Sequence, residues 1–233
     1  MTVTNISGSA DNGQALAIQA DGKLVMAGTT IGINRDFAVA RYNPDGSLDT
    51  GFADQGKTTT DFAGGNDWCL SIAIQADGKI VLAGGAMGTS YDFAVARYNP
   101  DGSLDTSFGE DGKVVTDFTG NSDLGRAVAL QVDGKIVVAG YSDGTTSDFA
   151  VVRYNPDGSL DTSLDEDGML ATDFAGGNDD AHAVALHPEG DILVAGSASY
   201  YFAVARYNPD GSLDPSFSDD GKVTTLSVLG GGF

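Results

Sequence analysis

Aspartate returns at a fixed interval in this chain: Asp11, Asp67, Asp123 and Asp179 stand 56 residues apart. Each precedes a short apolar segment. If those segments were gathered about one axis, the four carboxylates would form a circle suited to a divalent cation such as Ca2+ or to a basic ligand. The alternative is that each accepts backbone N–H groups in its own turn. Two neighbouring positions do not repeat. One carries Gln14, Leu70, Arg126 and His182, the other Asn12, Trp68, Leu124 and Asp180. Variation against a repeating background is where specificity can live, because scaffold demands are the same in every unit. Trp68, Arg126, Asp180 and His182 are therefore the expected ligand-contacting residues, and Asp11, Asp67, Asp123 and Asp179 the expected metal ligands.

No other chemistry competes with these positions. The sequence has no GxSxG elbow, no Walker loop and no dinucleotide fingerprint opening a helix. Its two histidines, His182 and His187, sit in no metal-binding spacing, and Cys69 is the single cysteine. Asn43-x-Asp45-Gly46-x-x-Asp49 resembles the later part of a calcium loop, but Arg41 stands where its first acidic ligand belongs. Lys and Arg total 12 against 33 Asp and Glu, giving a net charge of −21. Such a surface repels phosphate backbones and anionic lipid, so neither a nucleic-acid nor a peripheral membrane role is expected. There is no apolar run long enough for a membrane span. A protein or small cationic ligand is the expected partner.

The elements that must position these residues follow from the repeat. Gln-Ala-Asp-Gly-Lys starts at Gln19 and Gln75, returns at Gln131 with Val132 for Ala, and decays at His187. Arg-Tyr-Asn-Pro-Asp-Gly-Ser-Leu-Asp starts at Arg41, Arg97, Arg153 and Arg206. Each unit holds four strand signals separated by Gly and Pro turn chemistry, and Asp77-Gly78 reads as a two-residue hairpin turn. All but Glu110, Glu166 and Glu189 of the acidic residues are Asp, a turn former, and the 33 glycines are about twice the usual ~7% share, so helix is disfavoured. Four short strands per repeat of this length predict an all-β, four-bladed propeller built from 56-residue repeats, each blade a four-stranded antiparallel sheet. The blades are expected at about 13–62, 69–118, 125–174 and 181–228 of one domain spanning 1–233. Residues 1–6 align with the outermost strand of a repeat and are expected to be an extra such strand, open to pairing with a second copy. Three arrangements are consistent with this: a closed four-blade ring, a ring completed by another chain, or part of a longer array.

Within each unit the first strand alternates small and large residues, as in Ala15-Leu16-Ala17-Ile18, which suits the crowded innermost position. The third places Phe37, Val39 and Arg41 on one face and Ala38, Ala40 and Tyr42 on the other, so both faces should be covered. An arginine among apolar residues requires neutralisation. Asp61, Asp117 and Asp173, or Asp45 and Asp49 with their equivalents, are the expected partners.

The phrases Asp-Phe-Ala-Val-Ala-Arg-Tyr-Asn-Pro-Asp-Gly-Ser-Leu-Asp (Asp36 to Asp49, Asp92 to Asp105) and Gly-Lys-Ile-Val-Leu-Ala-Gly (Gly78 to Gly84) resemble the delta-60 repeat family. These are bacterial β-propeller repeats distantly similar to NHL-type blades. The resemblance implies a propeller within an exported or cell-surface protein, usually with more than four blades, and supplies no catalytic residues. The expected function is thus a non-catalytic recognition or scaffold module. A calcium-dependent hydrolase of the lactonase or phosphotriesterase kind is the alternative, and a self-assembling blade unit forming a multi-chain ring is a further one.

Overall fold

A computed structural model describes residues 4–6 and 10–225. All regular structure in them is strand, arranged as four antiparallel four-stranded sheets in sequence order. The first contains β1 (Ala10–Ile18), β2 (Leu24–Ile31), β3 (Arg35–Tyr42) and β4 (Lys57–Thr60). The second contains β5 (Trp68–Ile74), β6 (Ile80–Met87), β7 (Tyr91–Tyr98) and β8 (Lys113–Thr116). The third contains β9 (Asp123–Leu130), β10 (Ile136–Asp143), β11 (Ser147–Tyr154) and β12 (Met169–Thr172). The fourth contains β13 (Asp179–Leu186), β14 (Ile192–Ala198), β15 (Tyr201–Tyr207) and β16 (Lys222–Thr225). The first strands β1, β5, β9 and β13 pack on one another in succession, which makes them the innermost strands of the blades.

The hairpin loops differ from expectation by one residue. Gln19 N–H donates to Lys23 O and Gly22 N–H to Gln19 O, so Ala20-Asp21-Gly22 form a three-residue loop. Gly22, at φ 83°, takes the left-handed position such a loop requires. The same geometry recurs at Gln75 and Lys79. In the second conserved turn Asp45 Oδ1 accepts from Ser47 N–H and Oγ at 2.9 and 2.6 Å, so its carboxylate serves the turn.

Packing is concentrated at three seams, each built the same way. Phe37, Val39 and Phe52 of the first blade meet Leu82, Ala94, Ala96 and Tyr98 of the second. Phe93, Val95 and Phe108 then meet Val138, Ala150, Val152 and Tyr154. Phe149, Val151 and Leu164 meet Val194, Ala203, Ala205 and Tyr207. The alternation within β3, β7 and β11 thus divides each strand between two seams, and each seam gains its stability from removing both apolar faces from water. Buried tyrosines need a partner, and each finds a threonine of the preceding blade: Tyr98 with Thr60 at 2.6 Å, Tyr154 with Thr116 and Tyr207 with Thr172, both at 2.8 Å.

The repeat arginines clamp the seams. Arg97 Nε donates to Asp105 Oδ2 at 2.7 Å within its blade, while Nη1 donates to Pro156 O of the next at 2.6 Å. Its guanidinium lies 4.6 Å from the Phe108 ring centroid. Arg41 repeats this with Asp49, Pro100 and Phe52, and Arg153 with Asp161 and Pro209. Of the partners expected from sequence, the acid eight residues downstream is the one used. A hairpin lysine joins each of these pairs, Lys23 to Asp49, Lys79 to Asp105 and Lys135 to Asp161. Arg206 differs: its Nη2 reaches Asp214, its Nε has no acceptor among the described residues, and Asp191 replaces the lysine.

Among the described residues, two sheet faces have no blade packed on them, although on the first Ala38 and Ala40 are buried and share a small cavity with Thr4 and Ile6. The face of the first blade opposite its seam exposes Leu16 at 56% and Ile18 at 68%, and the corresponding far face of the fourth exposes Phe202 at 80%, where Phe37, Phe93 and Phe149 are fully buried. Residues 4–6 lie beside the first of these and carry no strand pairing, while residues 1–3 and 226–228 of the expected outer strands lie outside the described residues. Asn5 O accepts from Lys57 Nζ at 2.7 Å, as Asp61 O accepts from Lys113, so residues 4–6 occupy the place of an outer-strand end.

Two outcomes follow from the clamps. Arg97→Ala, which leaves the buried Asp105 carboxylate only Lys79 and Ser107 and removes the donor to Pro156 O, should cost about 3 kcal/mol in urea unfolding, whereas Arg206→Ala should cost about 1 kcal/mol or less because its ion pair is more exposed. Equal losses would show that the seam contact is not what stabilises. The second concerns acid. Burial opposes ionisation of Asp161, but hydrogen bonds from Ser163 and the Arg153 guanidinium hold it down, from an ordinary 3.8 to about 2. Its unfolded form therefore binds more protons in this range, so the stabilisation is complete above 3.8 and is lost as pH falls through about 2. Urea midpoints measured from pH 6 to pH 2 should fall more gently for Asp161→Asn than for the wild type; parallel curves would refute the assignment.

Candidate functional site

The non-repeating residues gather where the innermost strands start, and a shared irregularity explains why they vary. The β1–β2 ladder skips between Gly13 and Ala15, the β5–β6 ladder between Cys69 and Ser71, and the β13–β14 ladder between Ala181 and Ala183. In the third blade Gly140 pairs with Gly125 and Ala139 with Ala127. The residues passed over are Gln14, Leu70, Arg126 and His182. Each is the extra residue of a β-bulge, released from the alternation that dictates its neighbours, and bulges re-aim side chains in this way. The aspartates do not all precede these segments: Asp11, Asp123 and Asp179 already lie within the innermost strands, and only Asp67 directly precedes one. The strand continues past the bulge because the second strand supplies glycine opposite it. A Cβ on Gly28, Gly84, Gly140 or Gly196 would meet the carbonyl oxygen of Asn12, Trp68, Leu124 or Asp180 at 2.0 Å or less. Those four glycines, at the same 56-residue spacing, are the sequence signal for the bulge.

The structure joins three of the four expected ligand-contacting residues. Arg126 Nε donates to Asp180 Oδ1 at 2.7 Å across the third seam, and His182 Nε2 lies 3.9 Å from Asp180 Oδ2. The Arg126 guanidinium also lies 5.4 Å from the Tyr141 ring centroid. Arg126, Tyr141, Asp143, Ser147, Asn178 and Asp180 line a cavity of about 290 Å³ at this point. Trp68 is placed apart at the first seam, its Nε1 donating to Tyr91 Oη at 3.0 Å and its ring under the Arg35 guanidinium at 4.5 Å. Arg35 and Tyr91 are site neighbours that sequence spacing did not single out.

The expected metal ligands do not meet one another as a circle. Oδ2 of Asp11, Asp67, Asp123 and Asp179 accepts the backbone N–H of Ile6, Phe62, Phe118 and Phe174 respectively, at 2.7 to 2.8 Å. Among the described residues, close carboxylate groups form instead across the seams, as Asp36 with Asp61 and Asp67, Asp92 with Asp117 and Asp123, and Asp148 with Asp173 and Asp179. The sequence could not show this, because the added members belong to the preceding blade. Burial, with repulsion from neighbouring aspartates, raises the pKa of Asp67, Asp123 and Asp179 despite their backbone donors.

Blades of four antiparallel strands, stacked by their faces around innermost strands, define a β-propeller. The chain belongs to the DUF5122 β-propeller family, a domain of unknown function, whose repeats match residues 19–52, 75–108, 131–164 and 187–217. A protein of unknown function from Bacteroides caccae is similar over 86% of this chain and 58% of its own, with TM-score 0.50 and 15% identity. One from Dyadobacter fermentans DSM 18053 is similar over 93% and 65%, with TM-score 0.50 and 9% identity. A gluconolactonase from Xanthomonas campestris is similar over 84% and 58%, with TM-score 0.47 and 13% identity. The chain therefore spans about three fifths of the length of these structures, and at such identities the likeness is one of fold. No curated protein is significantly similar to it.

Proposed function

We propose that this chain is a non-catalytic propeller module of an exported or surface bacterial protein, recognising a ligand at the rim where the four bulges lie. The observation carrying this reading is that the residues freed from the repeat, Gln14, Leu70, Arg126 and His182, occupy the same bulge position in four successive innermost strands. A fixed scaffold presenting unlike side chains at equivalent points is a recognition surface in which specificity changes at little cost to the fold. The surrounding negative charge favours a partner with positive groups, a protein segment or small cationic ligand. The hydrolase alternative is weaker. The aspartates that would hold its calcium each accept a backbone N–H, and Asp180 beside His182 is bound to Arg126 at 2.7 Å.

A peptide and glycan array probed with the wild type and with a Gln14→Ser, Leu70→Ser, Arg126→Ser, His182→Ser variant tests the proposal. Binders of the wild type should be lost by a variant that still melts cooperatively. Turnover of lactone or phosphotriester substrates with added Ca2+ would decide for the hydrolase.

A second reading, a ring completed by another copy, is favoured by the exposed Phe202 of the fourth blade and the exposed Leu16 and Ile18 of the first. The Phe202 side of the fourth blade is of the kind that meets a following blade at every seam, and the Ala38, Ala40 and Tyr42 side of the first is of the kind that receives it. Light scattering after size exclusion should then give a multiple of 23.8 kDa for the wild type and the monomer mass for Phe202→Asp. A monomeric wild type excludes the shared ring.

A further inference from the structure

The three seam carboxylate groups are equivalent in origin but not in surroundings. In each, one oxygen from every aspartate lies within 4.8 Å of the other two. Two oxygens bound to one calcium ion at about 2.3–2.6 Å are at most about 5 Å apart, while magnesium at about 2.0–2.1 Å would draw them to roughly 4 Å. Separations within that limit allow all three residues to ligate one ion, and the donors are all hard oxygens, as calcium requires.

The middle group has two further features. Asp123 is 0% exposed, and its Oδ1 is buried without a hydrogen-bond donor. At the first seam the corresponding Oδ1 of Asp67 accepts from Met87 N–H, but Asp143 N–H, the equivalent donor, turns to Ser122 O. Ser142 faces Asp123 across the β9–β10 ladder, and its hydroxyl favours the ionised carboxylate, while Oδ1 itself is left without a hydrogen-bond partner. The second feature is a missing lysine. Lys113 Nζ reaches Asp61 O at the first seam and Lys222 Nζ reaches Asp173 O at the third. The position between them in the repeat is Met169, so the middle group lacks this ammonium. Three carboxylates, one fully buried with an unmet oxygen, are left to repel one another where the second blade joins the third.

We propose that Asp92, Asp117 and Asp123 bind a calcium ion that ties the second blade to the third. Asp92 comes from β7, Asp117 directly follows β8 and Asp123 opens β9, so the ion joins the outer part of one blade to the innermost strand of the next. Carboxylate repulsion then becomes a ligand field, and the seam is held by the cation rather than by a lysine.

Thermal melting during a calcium titration of EDTA-treated protein tests this, with isothermal titration calorimetry to give the affinity. The wild type should show a saturable rise in melting temperature. Asp92→Asn, which keeps an oxygen but removes a charge, should melt higher without calcium and bind it about tenfold more weakly or worse. Met169→Lys, which restores the repeat lysine, should also reduce the calcium response and leaves all three carboxylates in place should Asp92→Asn not fold. A wild type with no saturable response, or one whose response is unchanged in both variants, overturns the proposal.

Discussion

The structure depends on an arginine held between blades. Placing a guanidinium in an apolar seam is costly unless its donors are met. Here Nε is met by an aspartate of the same blade and Nη1 by a proline carbonyl of the next, so the charge is neutralised locally while the remaining donor capacity is spent across the seam. The fork geometry of arginine makes this division possible; a lysine ammonium could not hold both directions at once. The fourth blade shows the same residue without its successor. Among the described residues, Arg206 keeps an aspartate but has no such carbonyl, and its Nε has no acceptor. What fixes the geometry of the clamp is therefore the neighbouring blade as much as the local sequence.

This division of labour explains where function can reside. Most third-strand and turn positions cannot vary freely, because Phe, Val, Ala, Tyr and Arg of the third strand are each committed to one seam or the other, and the turns are committed to glycine. The bulge residue is exempt. It sits outside the ladder, at the start of an innermost strand, and its identity ranges from glutamine to histidine with no consequence for pairing. The glycine opposite is what permits the bulge, so the scaffold maintains a variable point by holding another point constant.

Much of this was legible in the sequence. The 56-residue spacing, the four strand signals and the two-faced third strand led directly to the blade architecture, since periodicity reports which side of a strand is covered. The arginine pairing was legible only as a choice among acids, and the acid eight residues on was settled by the short turn that folds back on the strand. The hairpin loop was misjudged by one residue because Asp-Gly suits both loop lengths. The site was less legible. Arg126, Asp180 and His182 were identified from variation alone and do meet, but Trp68 belongs to another seam, with Arg35 and Tyr91 as its companions.

By itself the sequence determined the repeat, the class of fold, the coverage of each strand face and the positions at which the units differ. Those are properties of local order and period, which the chain carries without reference to its neighbours. Only the tertiary structure decided which carboxylates share a space. Asp67, Asp123 and Asp179 match one another by period, yet each has its neighbours in the blade before it, at sequence separations that no periodic reading connects. Contacts across a seam depend on how one sheet is set against the next, and that is fixed by the packing of faces rather than by the order of residues within either.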